Sequence, residues 1–441
     1  MAGAESGGGV RQATGRQAPR SQLRKATLAA SIGNFVEWFD FGFYGYLATT
    51  IAVVFFPGEG SLAGLLATFA VFGAAFLVRP LGAIFFGSVG DRLGRNKVLA
   101  ITILIMSAAT FLVALLPGYR TIGIAAPILL LVLRLVQGFA AGGEPGGAAT
   151  FLAEYAPSRR RGTYVSMWHV SSFAALVCSS GLVLFLHEVM TSEQLLAWGW
   201  RIPFLLALPA GLIGLYIRLR VEDTPEFRVL QSESATAQSP LRELIRHDLP
   251  SLVRVFFLAA IQQFGFYTVF VYLASFLQVE GGFSAGFGTL VTVLAVVAAM
   301  IAVMPFGALS DRVGRKPVLV GSCVVLAVGA VPLMRLAGSG SPTAVVAAAL
   351  LLAVTVGAFM GASAPAYPEQ FSTRRRYAGM SLAFGLAAAV FGGTAPYLST
   401  FVTDRLSDPL APGYLLVAFA LVSLIAGLTL RETAYRSLDE L

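Results

Sequence analysis

Segments of about 20 predominantly apolar residues recur along this chain, each long enough to cross the roughly 30 Å hydrocarbon core of a bilayer as a helix. Twelve can be read between loop signals, near 27–56, 62–88, 98–117, 121–154, 163–187, 200–220, 251–279, 284–309, 317–337, 342–368, 377–402 and 411–430. Of the 441 residues 56% are hydrophobic and 12% charged, with a mean hydropathy of +0.77. A soluble domain carries roughly 25% charged residues, so too few are available here to clothe a water-facing surface. That excludes soluble enzymes, DNA-binding domains and disulfide-stapled secreted modules. The fold class is an all-α integral membrane protein with twelve transmembrane helices.

The polar stretch 221–250 divides the spans six and six. The expected organisation is a disordered cytoplasmic tail (1–26), a six-helix bundle (27–220), a cytoplasmic linker (221–250), a second six-helix bundle (251–430) and a short cytoplasmic tail (431–441). The first apolar segment contains Glu37 and Asp40 and no small-residue cleavage site, so it reads as a first span rather than a signal peptide. Cys178 and Cys323 are the only cysteines and are expected to be buried thiols without redox or metal roles.

The net charge of +8 is explained by topology. With both termini cytoplasmic, 25 of the 31 basic residues fall on the inner side; Arg120, Arg201, Arg335 and Arg405 fall outside, and Arg79 and Arg134 lie within spans. This is the positive-inside pattern, which anionic membrane lipid favours, and it leaves no need for a nucleic-acid partner. The expected setting is a bacterial plasma membrane. No phosphate-binding loop, zinc-protease element or hydrolase elbow is present, so no cofactor, metal or enzymatic activity is expected.

The two halves repeat. Phe86–Leu99, containing Asp91, Arg92 and Arg95, returns as Phe306–Leu319, containing Asp311, Arg312 and Arg315, with eight of fourteen positions identical. Glu154 followed by Arg159–Arg161 returns as Glu369 followed by Arg374–Arg376, and Phe41–Tyr44 returns as Phe264–Tyr267. Parallel six-span halves are a transporter architecture, with the substrate site between them near the midplane. The repeated Asp–Arg loops join helix ends and can lock one conformation through salt bridges and caps. Asp91, Arg92, Arg95, Glu154, Arg161, Asp311, Arg312, Arg315, Glu369 and Arg376 are therefore expected to form a gate.

An ionisable group at the bilayer centre costs about 2.5–3.5 kcal/mol on insertion scales and so needs a partner or a task. Glu37, Asp40, Arg79, Arg134, Glu144 and His169 are such groups, and all lie in the N-terminal half. The alternative reading of the first four is a buried ion network that only fixes packing. The repeat sets Asp40 opposite Gln263 and Phe39 opposite Gln262. Glu37, Asp40 and Glu144 are expected to handle the coupling proton. Arg134 and Arg79 are expected to hold a substrate carboxylate, with Trp38, Tyr44 and His169 beside them and Gln262, Gln263, Tyr267 and Tyr272 on the opposite wall. The glycines Gly142, Gly143, Gly146 and Gly147 are read as close helix packing, and Trp198 and Trp200 as membrane-interface anchors.

These residues resemble the major facilitator superfamily, and within it the metabolite:proton symporter family. The resemblance runs from about residue 22 to 435. It is carried by Gly33–Phe41, by Arg79–Gly82 running into Gly87–Arg95, by Gln137-Gly138 through Gly142–Glu144, and by Trp198–Phe204. The sequence looks most like proline/glycine betaine transporters, then α-ketoglutarate, shikimate and citrate permeases. It implies proton-coupled import of a small zwitterion or organic acid. The expected mode is alternating access, with metabolite, protons and membrane lipid as partners and the chain acting as a monomer. Proton-driven export on the same fold is the alternative. Pro145 stands where relatives usually carry an aromatic residue, and His169 where they commonly carry glutamine. The chain runs about ten residues beyond its last span, so osmotic sensing by a long coiled-coil tail is not expected.

Overall fold

The computed structural model describes residues 34–57, 60–93, 95–142, 149, 152–153, 156–219, 244, 246–372 and 376–436. The tail 1–26 and nearly all of the 221–250 linker lie outside them. Regular structure among the described residues is entirely helical. In hydrocarbon no water is available to backbone N–H and C=O groups, so each apolar segment must satisfy them within itself.

Among the described residues, eight helices are individually long and apolar enough to cross a membrane: Leu62–Phe86, Arg161–Val189, Leu249–Val279, Ala285–Val313, Arg315–Ala337, Pro342–Gln370, Gly379–Leu406 and Ala411–Leu428. They occupy the positions of spans 2, 5 and 7 to 12. Spans 1 and 6 are bent pairs, Asn34–Tyr46 with Ala48–Phe55 at 67° and Ser192–Gly199 with Arg201–Tyr216 at 43°. The apolar helices Ala100–Leu115 and Ala125–Ala141 stand at spans 3 and 4. Large aliphatic side chains such as Ile124, Val328 and Ile425 point outward, as a lipid-facing surface requires.

Sequence boundaries differ most at span 6. Trp198 and Trp200 lie within its bent pair, not just outside it. Trp198 is exposed, but Trp200 is fully buried against Phe55 and Phe204, so only the former can anchor at the interface. Cys323 is buried, whereas Cys178 is exposed on the outer face of span 5, which corrects the expectation of two buried thiols.

Among the described residues three spans contain a π-helical turn: Leu195–Gly199 in span 6, Thr268–Tyr272 in span 7 and Ala388–Gly392 in span 11. Such turns insert a residue into the helix and commonly mark functional positions. The last two face the opposite half of the molecule.

Small residues let the helices approach backbone to backbone. A β-carbon at Gly138 would overlap the carbonyl oxygen of Ala75, one at Gly142 that of Arg79, and one at Gly82 that of Phe139. Spans 2 and 4 are thus joined along a seam in which no methyl group fits. Gly143, Gly146 and Gly147 lie outside the described residues. Between the halves, Gly45 seats Val271, Gly73 meets the carbonyl of Gly393, and Gly162 meets that of Gly307. Overpacking of this kind costs typically about 1–3 kcal/mol. Gly138→Ala should therefore lower the thermal unfolding midpoint of the purified protein. Gly181→Ala, where nothing lies within 4 Å of the added carbon, should leave it unchanged or raise it.

Candidate functional site

Span 1 carries two carboxylates one helical turn apart, and each has a different partner. Glu37 Oε1 lies 2.8 Å from an Arg79 guanidinium nitrogen, and Asp40 Oδ2 lies 3.3 Å from Arg134 Nη1. All four side chains are buried, Arg134 completely. Removing a guanidinium from water is costly, and aromatic faces offset part of that cost. Arg79 stacks over Phe41 at 4.6 Å and Phe76 at 4.3 Å, and Arg134 over Tyr44 at 3.8 Å.

The pairs occupy different places. Asp40 and Arg134 lie inside the N-terminal bundle. Thr110 of span 3 reaches Asp40 and accepts a 2.6 Å hydrogen bond from Gln137 of span 4, while Phe204 of span 6 lies 5.9 Å from the guanidinium. Glu37 and Arg79 lie at the seam between the halves. Phe76, beneath Arg79, packs on Tyr267 at 5.1 Å. Trp38, next to Glu37, packs on Phe266 at 4.8 Å and Tyr267 at 6.1 Å. The Trp38 indole N–H donates to Asn34, whose amide donates to Ser171 and Ser172 of span 5.

The C-terminal wall is polar and uncharged. Gln262 Oε1 accepts from the Ser363 hydroxyl at 2.6 Å and the Tyr367 hydroxyl at 2.7 Å, while the amide nitrogen of buried Gln263 makes no hydrogen bond among the described residues. His169 is buried beside Trp168 at 4.7 Å, its Nε2 likewise unpartnered there. Tyr44 sits under Arg134, its hydroxyl donating to the Thr68 carbonyl. Tyr272 does not share the wall with Gln263. Nine residues of helix carry it about 13 Å along the axis, to a cavity of ≈ 360 Å³ that it lines with Glu280, Thr400 and Asp404.

The end bearing Asp311 is tightly closed. Asp311 accepts from the backbone N–H groups of Gly162 and Thr163 at 2.7 and 3.0 Å, from the Thr163 hydroxyl at 3.1 Å, and from Arg315 at 2.8 Å. A carboxylate of the C-terminal half thus caps span 5 of the N-terminal half, where unpaired N–H groups and the helix dipole favour an anion. Buried Glu369 takes Arg161 at 2.6 Å, Arg315 at 3.3 Å and the Thr433 hydroxyl at 2.6 Å. Arg161 also donates to the Arg436 carbonyl, and Glu432 accepts from the Arg315 and Lys316 N–H groups. Arg376 is buried and donates to the Pro368 carbonyl. Arg312 departs from the expected gate: it is exposed, and among the described residues its carbonyl rather than its side chain is engaged, by Tyr435. The side chains of Asp91, Arg92, Arg95, Glu144 and Glu154 lie outside the described residues. At the opposite end the halves are joined by a hydrogen bond from Thr49 to Gln278, 3.2 Å long.

A family model described as "Sugar (and other) transporter" matches residues 26–251, and one described as "Major Facilitator Superfamily" matches residues 255–439. The proline/betaine transporter of Salmonella typhimurium is 40% identical over 427 residues, which cover 95% of this chain and 85% of that protein. The chain belongs to the major facilitator superfamily. It is a transporter, not an enzyme, and it falls in the metabolite:proton symporter branch that the span-1 and Trp-Gly-Trp-Arg motifs indicate. The citrate-proton symporter of Klebsiella pneumoniae is 38% identical over 91% of this chain and 90% of its own length. The fold is that of the proton:xylose symporter XylE bound to 6-bromo-6-deoxy-D-glucose, with a TM-score of 0.75 at 17% identity over 95% of this chain and 98% of that one. The inward-open form of XylE from E. coli gives 0.69 at 19% identity over 94% and 98%.

Several residues of this transporter's site escape sequence reading. Thr110 and Gln137 are uncharged and ordinary in membrane helices, although Gln137 stands one turn from Arg134 on the same face, which is a usable signal. Glu432 and Thr433 sit in a polar tail where an acid reads as solvated. Removing one partner of a buried ion pair costs about 3–5 kcal/mol. Glu369→Gln should accordingly lengthen the distance between spin labels at the exposed positions 159 and 312. An unaltered distance distribution would show that Glu369 does not hold this end closed.

Proposed function

We propose that this transporter carries a small zwitterion of the proline or glycine betaine class into the cell together with a proton, by alternating access. The observation that carries the reading is the separation of two buried acid–arginine pairs, one within the N-terminal bundle and one at the seam between halves. The similarity to proline/betaine transporters supports the substrate class.

Asp40 with Arg134 is the proton pair. Phe41 and Tyr44 stack on its guanidinium, and Thr110, which donates to the Met106 carbonyl and accepts from Gln137, stands beside its carboxylate. Protonation neutralises Asp40 and leaves Arg134 without its counter-ion. That strengthens the guanidinium's pull on other acceptors and couples the proton to helix arrangement. Glu37, Arg79, Trp38, Gln263 and Tyr267 surround the substrate region.

The basic loops assign the Asp311 end to the cytoplasm, with both termini there, as the positive-inside pattern requires. In that orientation the described conformation is closed toward the cytoplasm by the Asp311 and Glu369 networks. A single chain, with its two halves, suffices for the cycle, and anionic lipid would contact the basic loops.

Asp40→Asn should retain substrate counterflow and lose proton-driven accumulation in proteoliposomes, because the isosteric amide keeps the site but cannot carry the proton. Accumulation at the wild-type level in this variant would overturn the assignment.

A further inference from the structure

We infer that the Glu37–Arg79 ion pair is the charge-selecting core of the substrate site, which a zwitterion opens by inserting between the partners, its carboxylate to Arg79 and its ammonium to Glu37. This rests on the transport reading above and adds a rule for what the site accepts. It assigns Glu37 to the substrate's cation rather than to the coupling proton.

Location is the first support. The pair stands where the halves meet, bordered by Trp38 and Phe76 from one side and by Phe266 and Tyr267 from the other. The Asp40–Arg134 pair, by contrast, is enclosed within one bundle.

The second support is unused bonding capacity. A guanidinium can grip a carboxylate with two parallel N–H bonds. Arg79 meets Glu37 through one nitrogen, and its buried Nε has no hydrogen-bond partner among the described residues. Across the seam, the buried amide nitrogen of Gln263 is a further donor without a partner there. These donors suit an incoming carboxylate. Phe41 and Phe76 back the Arg79 guanidinium, and the Trp38 ring next to Glu37 is a face against which a quaternary ammonium is favourably placed.

Charge balance decides selectivity. The pair is neutral as a unit, and a zwitterion keeps it so, because each new contact replaces the one it breaks. A carboxylate lacking a cation would leave a net negative charge in this buried site, and a cation lacking a carboxylate would leave a net positive one. Both are disfavoured for the same reason, so net-neutral substrates pass and anions of the same shape do not.

Three ligands of similar shape separate the charges: glycine betaine, its carbon isostere 3,3-dimethylbutyrate, which keeps only the carboxylate, and choline, which keeps only the cation. Calorimetric binding to the purified full-length chain should detect glycine betaine and neither of the others. Glu37→Gln should weaken glycine betaine at least about tenfold and gain 3,3-dimethylbutyrate binding, while Arg79→Gln should lose glycine betaine and gain choline. A misfolded variant cannot acquire a new ligand, so the gains carry the test. Wild-type binding of 3,3-dimethylbutyrate within about threefold of glycine betaine, or variants that lose betaine and gain neither partial ligand, would overturn the inference and leave proton symport standing. If neither glycine betaine nor proline binds the wild type, the proposed substrate class falls, and this rule with it.

Discussion

A charge in hydrocarbon has no solvent to fall back on, and the architecture of this chain follows from where it finds replacements. Glu37, Asp40, Arg79 and Arg134 satisfy one another pairwise, with aromatic faces in place of water. Their pairing ties span 1 to spans 2 and 4. At the Asp311 end the same principle works on a larger scale: Asp311 takes helix N–H groups, Glu369 takes Arg161 and Arg315, and the buried Arg161 and Arg376 also donate to backbone carbonyls. Ionic contacts are strong when dry and weak when wetted. A network of this kind holds while it is dry and loosens once water reaches it, a property suited to a transporter.

The two ends are unequal. One is closed by several charge-assisted bonds that cross between halves, and the other by a hydrogen bond between Thr49 and Gln278 beside a cavity lined by Glu280 and Asp404. Separating the halves at the second end disturbs less, so the described form is biased toward opening there. Glycine contacts at Gly45, Gly73 and Gly162 keep the seam thin enough for one aromatic layer to bridge it.

Much of this was legible in the sequence. Spans announce themselves because each must be apolar and helical on its own, and the bend in span 1 or the π-turns change their course without changing their count. The four buried charges were legible too, because ionisable groups are expensive in that setting. Their partners were not. Which acid meets which arginine depends on how helices pack, and residues one turn apart on span 1 reach different neighbours. Tyr272 was set on the same wall as Gln263 because both lie on span 7, and a sequence does not show which cavity each turn of a span faces. Glu432 was overlooked because nothing in a short polar tail distinguishes a cap from a solvated acid.

The seam between spans 2 and 4 leaves no room for even a methyl group, and Arg79 and Arg134 are mounted on those two helices. Their guanidinium groups therefore ride on one rigid frame and keep a nearly constant spacing. Glu37 and Asp40 ride on span 1, which is bent by 67° just beyond them. A small roll of span 1 against that frame would therefore alter both pairs together. Proton and substrate would then be linked by the stiffness of one short piece of helix, with no long chain of intermediaries between them.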